Sequence, residues 1–158
     1  MDPTRYPDFM RLALEQAELA AEKGEVPVGA VVVSQERVIG RGHNLTQTLH
    51  DATAHAEMVA LSAAYEHFND WRLEDCFLFC TLEPCAMCAG AAVLSRIDTI
   101  VYGAADPKFG GCESIFRIPE EPRLNHRVNI VSGVCEAEAA ALMQAFFRRV
   151  REAKERPN

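Results

Sequence analysis

The chain has no run approaching the ~18 consecutive apolar residues that a membrane-spanning helix requires, which excludes a helical membrane protein. Its opening, Met1-Asp2-Pro3-Thr4-Arg5, lacks the charged-then-apolar order of a secretory signal, so a cytoplasmic protein is expected. Positive charge is scarce: the formal net charge is −7 and the isoelectric point lies near 5.2. That balance argues against general coating of nucleic acid, which needs a basic surface. There is no internal repeat, no linker and no low-complexity tract. A length of 158 residues without such divisions predicts one domain over 1–158. With 49% hydrophobic residues the chain can bury a core, and a disordered chain is excluded.

Cysteine, by contrast, is present six times. Without a secretory signal these residues are expected as reduced thiols or metal ligands rather than disulfides. For the same reason the sequon Asn44-Leu45-Thr46 carries no glycosylation meaning.

Apolar residues at three- and four-residue steps predict a helix from Asp8 to Lys23, ended by Gly24. Val28–Val33 and Arg37–Gly40 read as strands about a turn at Ser34-Gln35-Glu36. A polar stretch from Gly42 to Ala52 precedes a helix from about Thr53 to His67, with Asp51 or Thr53 as its N-cap. Cys76–Leu82 is an expected buried strand, and Pro84 opens a short helix from Cys85 to about Leu94. Ile97–Gly103 and Val128–Ser132 read as further strands, and Glu136 to about Lys154 as a terminal helix. Between the last two strands, Ala104–Arg127 is irregular, a length at which loops are usually functional or partly disordered. This order predicts a three-layer α/β/α sandwich with a five-stranded mixed sheet, in which crossover helices imply some parallel pairing.

Two short motifs carry chemistry. His55-Ala56-Glu57 opens the second helix, and Pro84-Cys85-Ala86-Met87-Cys88 opens the third. Cysteines three apart on a helix share a face, so both sulfurs can reach one ion. The positive helix end favours their thiolate form. His55 supplies a third ligand, and Cys₂His with an open position is the pattern of a catalytic zinc site. Residues two apart on a helix diverge by roughly 200°, so His55 and Glu57 converge only if the ion lies beside the end of the helix axis. Zinc lowers the pKa of its water to roughly 7, and Glu57 is placed to act as a proton shuttle beside it. Taken singly, C-x-x-C also fits structural zinc or buried thiols, and H-x-E fits two solvated helix residues. Joint occurrence at two helix openings favours a shared catalytic site.

With these motifs the sequence resembles the zinc-dependent nucleobase deaminases, H-x-E…P-C-x-x-C, whose fold is cytidine deaminase-like. Matches at Glu25–Val31, Ser95-Arg96-Ile97, Tyr102-Gly103-Ala104, Asn125-His126-Arg127 and Phe146-Phe147-Arg148 point to the tRNA-editing adenosine deaminase branch. The resemblance implies one Zn²⁺ per subunit held by His55, Cys85 and Cys88, and Glu57 as the catalytic proton shuttle. It further implies that Asn44 holds the target base, and that adenosine becomes inosine at the wobble position in the anticodon loop of a tRNA, an arginine tRNA. A homodimer whose substrate groove uses both subunits is implied as well. A deaminase of free guanine or cytosine shares the metal chemistry and is the competing expectation, supported by the acidic isoelectric point. A non-catalytic zinc-stabilised module is a third.

Substrate contacts beyond the motifs are read from two places. In Asp106-Pro107-Lys108-Phe109-Gly110-Gly111, Asp106 can meet a ribose 2′-hydroxyl and Lys108 a phosphate, or the segment is a capped, solvated turn. Phe109 and Cys112 depart from the family pattern, in which small or polar residues stand. From Leu142 to Asn158 five basic residues, Arg148 among them, face two acidic ones, a net +3 that leaves −10 for the remainder. Phe147 either stacks on an unpaired base beside this charge or packs inward, while Phe146 is expected in the core.

Overall fold

The computed structural model describes residues 1–155. Its sheet comprises Gly29–Ser34 (β1), Arg37–His43 (β2), Cys76–Leu82 (β3), Thr99–Ala104 (β4) and Asn129–Val131 (β5), in the order β2-β1-β3-β4-β5. β1 pairs antiparallel with β2 and β3, whereas β3–β4 and β4–β5 are parallel. The hairpin from β1 to β2 turns at Gln35 and Glu36, both with positive φ (47° and 58°). That geometry matches the twist of the flanking strands. Helices are Tyr6–Glu22 (α1), Thr46–Leu49 (α2), Ala56–Phe68 (α3), Ala86–Leu94 (α4) and Glu136–Glu155 (α5).

Alternation along the strands divides the core into two. Ala30, Val32, Leu78, Cys80 and Ile100 face α3 and α4, while Val31, Val33, Phe79 and Val101 face α1 and the start of α5. A sheet covered on both sides buries both faces of its central strands, which explains the continuous apolar runs Ala30–Val33 and Thr99–Ala104. The result is the expected three-layer α/β/α sandwich with a five-stranded mixed sheet.

Helix α3 lies unusually close to β2. A Cβ added at Gly42 would stand 2.3 Å from the Ala56 carbonyl oxygen, and one at Gly40 the same distance from that of Ala60. Small residues on both elements therefore set where the first turn of α3 sits.

Three expectations are corrected. Helix α3 begins at Ala56 rather than Thr53, and neither Asp51 nor Thr53 caps it. The Asp51 carboxylate instead accepts from the backbone N–H and hydroxyl of Thr53 (2.8 and 2.7 Å), closing a local turn. His55 is left as the N-cap, with no side-chain capping bond. The polar stretch before it also contains α2. The fully buried Glu25 carboxylate holds that short helix by accepting from the N–H groups of Gln47 (3.1 Å) and Thr48 (2.6 Å) and from the Thr48 hydroxyl (2.8 Å). Phe146, expected in the core, is half-buried and belongs to neither cluster. The residues of α5 that meet the core are Ala139, Ala140 and Leu142. Beyond them the helix has left the sheet, and Phe146 meets Phe147 edge-on at 5.3 Å.

Candidate functional site

His55 and Cys85 are the N-cap residues of α3 and α4, both in extended backbone conformation (ψ 152° and 174°). This answers the angular problem posed by H-x-E: His55 is not yet helical, so its ring escapes the spiral that carries Glu57 away. Cys88, one turn into α4, is fully buried. The ligand atoms of His55, Cys85 and Cys88 all lie within 4.8 Å of one another.

The distances favour one ring nitrogen. His55 Nδ1 stands 3.5 Å from Cys85 Sγ and 3.6 Å from Cys88 Sγ. Tetrahedral zinc, with Zn–S of about 2.3 Å and Zn–N of about 2.0–2.1 Å, requires N···S separations of about 3.6 Å. The three donors therefore fit a zinc ion as placed. No fourth His, Cys, Asp or Glu joins the group among the described residues, the pattern of a catalytic rather than a closed structural site.

Electrostatics prepare the donors. The Cys85 thiol is lowered to about 4, first by its hydrogen bond with Cys88 and further by His55, against the effect of burial. The Cys88 thiol, which shares a proton with Cys85 in a buried place, is pushed far up. Binding of a divalent cation by both sulfurs would require the loss of that proton. His55 is raised, chiefly by its hydrogen bond to Cys85.

Glu57, in the first turn of α3, is 3% exposed. Burial pushes its carboxyl up to about 7, opposed by a hydrogen bond from its own backbone N–H and by the charge of His55. A carboxyl group poised there can both take and return a proton near neutral pH.

These groups open onto a cleft of about 370 Å³. Its walls are apolar at Val26, Val28 and Leu82, Asn44 and Asp106 also line it, and the largely exposed Phe109 stands at the rim. The cleft lies beyond the carboxyl ends of the parallel strands β3 and β4, where open α/β sheets place their ligands. Asn44 is buried, and its backbone N–H donates to the Val28 carbonyl (3.1 Å). Its side-chain amide has no hydrogen-bond partner among the described residues, which leaves it available to the cleft.

Of the other expected contacts, Asp106 has a double position. One carboxylate oxygen caps its own turn, accepting from the N–H groups of Lys108 (3.0 Å) and Phe109 (3.2 Å), yet the residue also lines the cleft. Lys108 is exposed on that turn and does not line the cleft. Phe147, 40% exposed, and Arg148 lie on α5, on the opposite side of the sheet from α3 and α4, and neither lines the cleft. Arg156, part of the same basic stretch, lies outside the described residues.

One organising residue escaped the sequence reading. Glu83 is 2% exposed and collects five donors: the N–H groups of Asp106, Cys112, Glu113 and Ser114 (3.0–3.2 Å) and the Ser114 hydroxyl (2.5 Å). It thereby ties the 106–114 loop to the residues that lead into Cys85. Glu25 plays the same part for the loop after Asn44. For Glu83 the signal was present as a carboxylate between an apolar strand and a proline, Leu82-Glu83-Pro84; Glu25, after Glu22-Lys23-Gly24, carries no such mark.

Comparison with known proteins gives a consistent answer. The model of the MafB19-like deaminase family matches residues 6–151. A tRNA-specific adenosine deaminase of Streptococcus pyogenes is 47% identical over 146 residues, covering 92% of both chains. One from Bacillus subtilis is 48% identical over 147 residues, covering 92% of this chain and 91% of the relative. A structure solved in studies of A-to-I editing by tRNA:A34 deaminases at the wobble position of transfer RNA superposes with a TM-score of 0.82 at 45% identity. It covers 85% of this chain and 98% of the other. A guanine deaminase from Nitrosomonas europaea, at 24% identity and a TM-score of 0.75 over 89% of this chain and 83% of the other, shares the fold.

Proposed function

This chain belongs to the MafB19-like deaminase family, and from that premise we propose that it is a tRNA-specific adenosine deaminase. It converts adenosine to inosine, with water consumed and ammonia released, at the wobble position of an anticodon loop. The single observation that supports the choice of substrate is the 47–48% identity to tRNA-specific adenosine deaminases over 92% of the chain, while the meeting of His55, Cys85 and Cys88 with the buried carboxyl of Glu57 supports the deamination chemistry. His55 Nδ1 and the two thiolates would hold one zinc ion, which when bound supplies an activated water. Glu57 would take the proton released from that water at a carboxylate oxygen. It would deliver that proton to the ring nitrogen next to the reacting carbon, then take the second proton from the hydroxyl added to that carbon and pass it to the amine, which leaves as ammonia while the carbonyl forms. Asn44 holds the base through its free amide, and the apolar walls at Val28 and Leu82 exclude bulk water.

Asp106 meets a ribose 2′-hydroxyl with the oxygen not spent on its turn, and Lys108 meets a phosphate beyond the cleft. Phe147 and Arg148 serve RNA outside the cleft. The working unit is a homodimer, for which the exposed apolar side chains Leu94, Ile115 and Phe116 offer surface. An anticodon loop is already unpaired, so presenting its base costs less than opening a duplex. An arginine tRNA is the proposed substrate and the cytoplasm the proposed location. The described residues contain no helix long and apolar enough to cross a membrane.

The test is direct. The protein is incubated with a wobble-adenosine tRNA transcript and, separately, with free guanine and cytosine, and ammonia and inosine are measured. Inosine from the transcript supports the proposal; ammonia from the free bases alone overturns it. In the Glu57→Gln variant inosine formation should fall by at least about 10²-fold while zinc content is unchanged.

A further inference from the structure

Phe109 leaves 70% of its surface in water although it stands on the rim of the cleft. The backbone holds it there. The Phe109 N–H donates to Asp106 Oδ1 (3.2 Å), and the Gly110 N–H to the Asp106 carbonyl (2.9 Å). The next two residues are buried against the strand-to-helix junction that presents the thiols: the Gly111 N–H donates to the Pro84 carbonyl at 2.7 Å. A Cβ at Gly110 would stand 2.2 Å from Glu83 Oε2, and one at Gly111 2.6 Å from the Ala86 nitrogen. Only glycine lets the loop sit this close, and the five donors on Glu83 close it from the other side. The ring is thus displayed at a set distance from the candidate metal site, on a loop with little freedom to fold it inward.

We infer that Phe109 is a substrate-recognition residue, the platform on which the nucleobase adjacent to the reactive one stacks. The inference rests on the tRNA reading above. With the reactive nucleoside in the cleft, the ring on its rim stands within reach of a nucleotide next to the reactive one. An aromatic face accepts any base, which adds affinity without dictating sequence.

Steady-state deamination of an anticodon stem-loop RNA by Phe109→Ala, Phe109→Leu and Phe109→Trp tests this, together with RNAs abasic on either side of the target adenosine. Phe109→Ala should raise KM by about 5- to 150-fold, the range for losing one base–aromatic stack. Its kcat should stay within about threefold, as for binding shared by ground and transition states. Phe109→Trp should restore KM and Phe109→Leu should not. One abasic RNA should cost the wild type the same factor and cost Phe109→Ala nothing more. An unchanged KM in Phe109→Ala overturns the inference, as does full rescue by leucine or a change of oligomeric state in sedimentation that accompanies the loss. A wild type inactive on the RNA sinks the tRNA reading and this inference together, whereas an active wild type with an indifferent Phe109→Ala sinks the inference alone.

Discussion

Replacing Glu83 by glutamine should open the rim of the cleft without touching a proposed ligand. The two carboxylate oxygens divide their work. Oε2 accepts from the N–H groups of Cys112, Glu113 and Ser114, and Oε1 from the Asp106 N–H and the Ser114 hydroxyl. A glutamine oxygen in the first place keeps three bonds, each reduced from charge-assisted to neutral at about 1 kcal/mol apiece. The amide nitrogen in the second place faces the Asp106 N–H donor to donor, orphaning it at about 1–3 kcal/mol, while the Ser114 hydroxyl can rotate to accept. The sum is a local destabilisation of about 4–6 kcal/mol, concentrated in residues 106–114. Native-state hydrogen exchange is the assay, because the loop can open without global unfolding. Amides of Cys112, Glu113 and Ser114 should lose protection by about 10³- to 10⁴-fold, with helix α1 unaffected. Protection retained at all three amides, or lost equally in α1, would refute a local clamp.

Other consequences are narrower. Chelation should remove one zinc per chain and abolish deamination, with activity returning on zinc addition; metal analysis of Cys88→Ser should show loss of the ion. For Gly42→Ala, a Cβ 2.3 Å from the Ala56 oxygen must push α3 outward, at about 1–3 kcal/mol, and calorimetry should show a Tm lower by several degrees. Burial alone would raise the Glu25 carboxyl, but hydrogen bonds from the Thr48 and Gln47 N–H groups outweigh it and hold the group below its ordinary 4.5. A carboxyl lowered on folding contributes stability above its unfolded value and loses it as pH falls through its folded value. Urea denaturation of Glu25→Gln should therefore show reduced stability at neutral pH and a flatter decline below about pH 4.5. An unaltered acid limb would sink that account.

The chemistry of the site was legible because its residues are local to two motifs. The first turn of α4 brings Cys88 under Cys85, the extended N-cap conformation of His55 lets it face the same side as Glu57, and proline marked the start of α4. The sandwich was legible because apolar periodicity reports burial on one face or two. Helix boundaries were less so. Asp51 and Thr53 are both good caps by residue type, but they bond to each other, and which partner a side chain finds depends on geometry beyond its neighbours. Phe146 followed the same logic: its helical spacing was right, but where the sheet beneath α5 ends is not written in α5.

From the chain alone came the donor types, their placement at helix openings, the layer order and the deaminase resemblance, all consequences of short-range spacing. Tertiary structure decided that His55 Nδ1 comes within 3.6 Å of both sulfurs, that Glu57 is buried among them, and that Glu25 and Glu83 each hold a loop against the cleft. Those contacts join segments some 20–30 positions apart. Their formation depends on how closely α3 and α4 pack on the sheet, a property of the assembled core rather than of any local stretch.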